Sequence, residues 1–164
     1  MALALAEPRG ESVLAGLRYW EQQRRGKPLP SRLDIDPHDI APLLPQVYLV
    51  NVAYDPLDFQ YRLLGTEIVD HSVADYTGRR LRDLPEQRPP SQIWALYKEA
   101  VEGRRPVCTR VPYLHIPGRS VEMLATPLSS DGQRVDMLFG VIEFEVDRLE
   151  PARAIAFRQH PPAC

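Results

Sequence analysis

Apolar and polar residues alternate over 59–63, where Gln60 and Arg62 separate Phe59, Tyr61 and Leu63, and this period of two predicts a strand with one buried face. The run stops at Gly65-Thr66, where Thr66 can cap a short helix carrying Ile68 and Val69, and a second stop follows at Thr77-Gly78. A strand that breaks into short helical turns above a sheet builds one wall of a small cavity. Upstream, Val13, Leu14, Leu17 and Trp20 recur at helical spacing with Arg18, Glu21, Gln22 and Arg25 off the stripe, and Gly26 ends the helix. Downstream, Ser91 can cap a helix whose stripe is Ile93, Trp94, Tyr97, Ala100 and Val101, ending at Gly103.

Four more strands are expected, at 46–53, 107–115, 121–128 and 135–146. The turn Tyr54-Asp55-Pro56-Leu57 makes a hairpin of 46–53 and 59–64, and Pro117-Gly118 and Asp131-Gly132 mark the later turns. Both phases of 46–53 are apolar, with Val47 and Leu49 on one and Tyr48, Val50 and Val52 on the other, and 137–142 behaves the same way. Such strands are covered on both faces, so these two should be neighbours in the middle of the sheet. The strand at 107–115 carries Arg110 and Pro112, and proline belongs at an edge. The expected fold is α+β, a five-stranded antiparallel sheet with short helices over one face. The other face is left for the amphipathic helix of Val13 to Trp20 or for a second subunit. Residues 1–12 read as a flexible start, 13–146 as a single domain and 147–164 as a tail.

A chain of 164 residues is long enough for a core without disulfide support, and 44% hydrophobic with 26% charged residues is ordinary for a soluble domain. A net charge of −2 argues against nucleic-acid binding, and the basic clusters Arg79-Arg80-Arg82 and Arg104-Arg105 have acids nearby and read as solvated surface. Cys108 and Cys164 imply no disulfide framework. The apolar residues 1–6 are too few for a signal sequence, and no stretch approaches a membrane span of about 20 apolar residues. A cytoplasmic protein without membrane contact is the expectation.

Candidate chemistry is sparse. The cluster Asp34-Ile35-Asp36-Pro37-His38-Asp39 reads as a helix start, with Asp36 as cap, Pro37 at the first position and Asp39 in the first turn, rather than as a metal site. There is no glycine-rich phosphate loop, no Cys-x-x-Cys pair and no His-Glu-x-x-His helix, so no catalytic residue is named. Arg62, a charge within a strand, reads as a partner for Asp83 or for an anionic ligand.

The order strand-strand-helices-strand-strand-strand resembles the PAS domain superfamily. Tyr19-Trp20, Pro30-Ser31-Arg32, Asp34-Ile35-Asp36-Pro37, Tyr61-Arg62-Leu63-Leu64-Gly65-Thr66 and Thr77-Gly78-Arg79 with Leu81 look like a bacterial stand-alone variant, over about residues 13–146. The resemblance implies a small cavity between helices and sheet, and frequent dimerisation through the N-terminal helix. It also frames what is missing: the helix 91–103 has no histidine for haem, leaving His71 as a remote candidate, and no Asn-Cys-Arg-like motif marks a flavin photosensor. Neither haem nor flavin is expected. Pocket lining is assigned to Phe59, Tyr61, Leu63, Ile68, Tyr76, Trp94, Tyr97 and Met123, with a packed core as the alternative for Trp94 and Tyr97. A homodimer or signalling-partner interface is assigned to Val13, Leu17, Trp20, Met137 and Phe139. The expected function is a non-catalytic sensor that binds a small, largely apolar ligand and signals by association in trans. One alternative is an interaction domain with a filled core. Another is a small enzyme of a cone-shaped α+β barrel type, which needs a buried acid or histidine among Asp70, His71 and Asp75.

Overall fold

A computed structural model describes residues 5–112 and 120–144. Five strands, β1 (Val47–Ala53), β2 (Asp58–Leu64), β3 (Val107–Pro112), β4 (Ser120–Leu128) and β5 (Met137–Phe144), form one antiparallel sheet in the order β2-β1-β5-β4-β3. The two strands apolar in both phases, β1 and β5, are neighbours, and the hairpin partner β2 and the proline-bearing β3 lie at the edges, as the patterning requires. The turn Pro117-Gly118, His115 and the tail lie outside the described residues.

The helices divide between the faces. α1 (Glu11–Arg24) packs on β4 and β5 on one side; α2 (Thr66–Asp70) and α3 (Gln92–Gly103) cover the other. α3 begins as expected, with Ser91 Oγ accepting from the Trp94 amide at 3.0 Å. Its last residue is Gly103, and Arg104 takes the left-handed cap conformation at φ 51°. Asp36 caps the 3-10 segment Pro37–Gln46 through the His38 amide at 2.9 Å, with Pro37 at its start, so the acidic cluster is a helix start. An additional clasp precedes it. The Asp34 carboxylate takes up Lys27 Nζ at 2.7 Å and the Ser31 amide at 2.7 Å, and these bonds, that to Lys27 foremost, hold its carboxyl down to about 2. Thr66 is not the cap of α2: Gly65 holds that position with no side-chain bond, and Thr66 is the first helical residue.

α1 seals the outer sheet face within one chain. Val13, Trp20 and Phe139 are fully or almost fully buried there, Trp20 Nε1 donates to Pro127 O at 2.9 Å, and the Tyr19 and Phe139 rings lie 6.1 Å apart. These three residues therefore do not form an exposed interface, because α1, which carries Val13 and Trp20, is packed on its own sheet over Phe139. Of the five residues assigned to a partner surface, Leu17 and Met137 remain half-buried.

The start of α1 has no side-chain cap of its own. Its amides are instead received by two glutamates that face each other across β4 and β5. Glu122 Oε1 accepts from the Arg9 and Gly10 amides, both at 2.8 Å, and Glu143 Oε2 from Ser12 at 2.9 Å and Val13 at 3.2 Å. Arg110 donates to Glu122 at 2.7 Å and also to Glu7 O at 2.9 Å. Residues 5–10, expected to fray, are thus tied to the sheet, with Leu5 bridging Thr109 and the Ala6 amide donating to Cys108 O.

Burial pushes the Glu122 carboxyl up, but the Gly10 and Arg9 amides and Arg110 outweigh it, and the group sits below its usual range. A carboxylate lowered in the fold contributes stability that is complete above its unfolded pKa and is lost as pH falls through the folded value. Glu122→Gln should therefore destabilise the protein by about 2 kcal/mol at pH 7, with the deficit shrinking below pH 4 or so. Urea titrations of both proteins from neutral pH into the acid range check it; an equal deficit at all pH values would contradict it.

Candidate functional site

The interior between the sheet and the helices α2 and α3 gathers most of the residues assigned to a pocket. Phe59 on β2 meets Trp94 edge-on at 4.9 Å between ring centroids and Tyr97 at 5.4 Å. Tyr61, two residues along, puts its hydroxyl against Gln87 Oε1 and beside that of Tyr97. Ile68 of α2 and Met123 of β4 are buried as well, and Tyr76 is half-buried beside Tyr61.

Leu63 does not belong to this set. The β1–β2 register runs from Leu49 opposite Leu63 to Val50 opposite Tyr61, so Arg62 is an extra residue, a β-bulge. The bulge reverses the alternation after Tyr61: Leu63 turns to the other face, 41% exposed, and Leu64 packs against the core in its place. Arg62 is exposed there and makes no ion pair with Asp83 among the described residues. Arg82 covers the aromatic cluster from outside, its guanidinium 4.8 Å from the Trp94 ring centroid and bonded twice to Leu57 O.

The residue that pattern reading left out is Tyr48. Its ring crosses the sheet over Gly140, where a Cβ would lie 2.0 Å from Tyr48 Cζ, and its hydroxyl donates to Leu124 O at 2.7 Å on β4. The signal available in the sequence was Gly140 alone, since a glycine within an otherwise apolar strand marks a close approach, and the register sets it opposite Tyr48. The Tyr48 and Tyr97 rings lie 5.7 Å apart at a tilt of 38°, and the Tyr97 hydroxyl lies within hydrogen-bonding reach of both Tyr48 and Tyr61. Three phenols thus converge in the middle of an apolar interior. Burial, the dominant cause, pushes all three well above the usual tyrosine value, so they are neutral donors and acceptors at any working pH.

His71, at the end of α2, directs Nδ1 to Glu67 O at 2.8 Å; a carbonyl only accepts, so the proton sits on Nδ1. Its ring stacks on Phe144 at 4.0 Å. Asp70 and Asp75 are exposed, and hydrogen bonds from Thr77 lower Asp75. The described residues contain no cluster of three or more metal-binding side chains, and no helix among them is long and apolar enough to cross a membrane.

A five-stranded antiparallel sheet in this order, with short helices over a side-chain-filled interior, is a PAS architecture. A PAS domain family model matches residues 9–143, most of the chain, and the chain belongs to that family, a fold of signalling sensors. Solved structures similar to it include the PAS domain of histidine kinase ThkA, 16% identical with a TM-score of 0.43, covering 60% of this chain and 98% of that one. Another is the ligand-binding domain of the Pseudomonas aeruginosa PAO1 amino acid chemoreceptor PctC in complex with GABA, 17% identical with a TM-score of 0.40. That match covers 80% of this chain and 53% of the chemoreceptor chain, so the protein spans about half of its length. No curated protein matches the chain.

Proposed function

We propose that this PAS domain is a non-catalytic cytoplasmic sensor. It binds a small, largely apolar ligand between sheet and helices, and reports occupancy by associating with another protein or a second copy. The observation that carries the reading is the convergence of Tyr48, Tyr61 and Tyr97. Phenylalanine would fill the same volume, and each buried hydroxyl is costly unless bonded. A polar centre within aromatic walls suits a ligand with an apolar body and one polar tip.

Leu124 supplies a route outward. Its carbonyl receives Tyr48, while its side chain lies under α1, 3.7 Å from where a Cβ on Gly16 would sit. A ligand that draws Tyr48 away from Leu124 would favour a different seat for α1, and it can shift that equilibrium only by its difference in affinity for the two arrangements.

A second reading, an interaction domain with a filled core, is favoured by the near-complete burial of Phe59, Tyr48 and Tyr97. Native mass spectrometry of protein purified from two unrelated hosts separates the two. The sensor reading expects a bound compound at one per chain, weakened about tenfold by Tyr61→Phe, which removes one hydrogen bond and little volume. Bare protein from both hosts, together with a stable dimer, would establish the filled-core reading instead.

A further inference from the structure

On the opposite side of the sheet, a cleft of about 170 Å³ opens between residues 5–8, α1 and the start of β3. Its walls include Leu5, Pro8, Leu17, Val107, Cys108 and Leu124, and its charged lining residue, Arg105, is held by Glu99 at 2.7 Å. Burial pushes the Cys108 thiol up to about 12, which makes it a neutral wall rather than a nucleophile. For scale, an enclosed apolar cavity of about 150 Å³ holds a benzene-sized molecule.

We propose that this cleft is a second binding site, for a compact neutral apolar molecule the size of a monocyclic arene. Size sets the upper limit, and the engagement of Arg105 with Glu99 leaves a carboxylate without a cation to meet. The occupant would touch three separate pieces at once: the arm at Leu5 and Pro8, α1 at Leu17 and the sheet at Leu124. Among the described residues the arm at 5–8 is tied to the sheet by the Leu5–Thr109 bridge, the Ala6 amide to Cys108 O at 2.9 Å and Arg110 to Glu7 O at 2.9 Å. Filling the cleft therefore stabilises the docked arm, and the site acts as an input distinct from the tyrosine interior.

The test is a methyl and amide NMR titration of the full chain with benzene and, separately, benzoate. Benzene is expected to shift the Leu17, Val107 and Leu124 methyls saturably and to slow exchange of the Ala6 amide about tenfold at a tenfold excess over Kd. Benzoate should leave these signals unmoved. Leu17→Phe, and Ala6→Leu on the less buried arm in case the first fails to fold, should abolish the response by filling the space. The proposal is overturned by unmoved methyls up to the solubility limit, by an undiminished response in Ala6→Leu, or by benzoate binding as well as benzene. Shifts confined to Met123 and Ile68 would also overturn it while leaving the interior site standing.

Discussion

Gly65→Ala is expected to lower stability by more than about 3 kcal/mol, a large fraction of the stability of an ordinary domain. The reason is space. A Cβ at Gly65 would lie 2.3 Å from Pro45 O, 2.4 Å from Leu44 O and 2.5 Å from Pro45 C, all backbone atoms that no rotamer change can move aside. The Gly65 amide also donates to Val47 O at 2.8 Å, so the chain is held in that approach from both sides. At φ −61° the backbone itself is ordinary, and the requirement for glycine comes from the close approach of the end of the 3-10 segment Pro37–Gln46. Chemical denaturation of Gly65→Ala beside Gly78→Ala, where the added methyl meets open space and only a positive φ opposes it, checks the assignment. A smaller loss at Gly65 than at Gly78 would contradict it.

Trp94→Ala should cost about 3 to 5 kcal/mol. The indole is buried, holds Phe59 edge-on and carries Arg82 across its outer face, so truncation removes an aromatic contact, opens a cavity beside Tyr97 and strips the guanidinium of its platform. Denaturant unfolding gives the number directly. A loss below about 1 kcal/mol, accompanied by loss of a bound compound, would move Trp94 from the packed core to a ligand wall.

Much of this architecture is legible in the residue pattern. The two strands apolar in both phases had to sit side by side, Pro112 had to be at an edge, and Ser91 and Asp36-Pro37 marked their helix starts. What the pattern hides depends on contacts distant in sequence. The bulge at Arg62 follows from pairing with Leu49 and Val50, and a strict period of two carries Leu63 to the wrong face. Thr66 has the right chemistry for a cap, yet the close approach of the chain at Pro45 places the helix start at Gly65. The carboxylates that receive the first turn of α1 lie more than a hundred residues downstream, at Glu122 and Glu143, and nothing local announces them. The apolar stripe of Val13 and Trp20, assigned to a partner interface, is instead packed on the chain's own sheet, because a helix stripe fits its own sheet or a partner's equally well in sequence alone. For the interior, the alternation located Phe59 and Tyr61 and helical spacing located Trp94 and Tyr97. Tyr48 escaped because its reach across Gly140 to Leu124 is a property of three strands together.

An X-ray structure of the protein as isolated, without added ligand, addresses the interior most directly. The sensor reading predicts non-protein density within hydrogen-bonding distance of at least one of the Tyr48, Tyr61 and Tyr97 hydroxyls and against Met123. Density showing these three hydroxyls bonded only to one another, to Gln87 and to Leu124, with side chains filling the space between Tyr61 and Trp94, would contradict it.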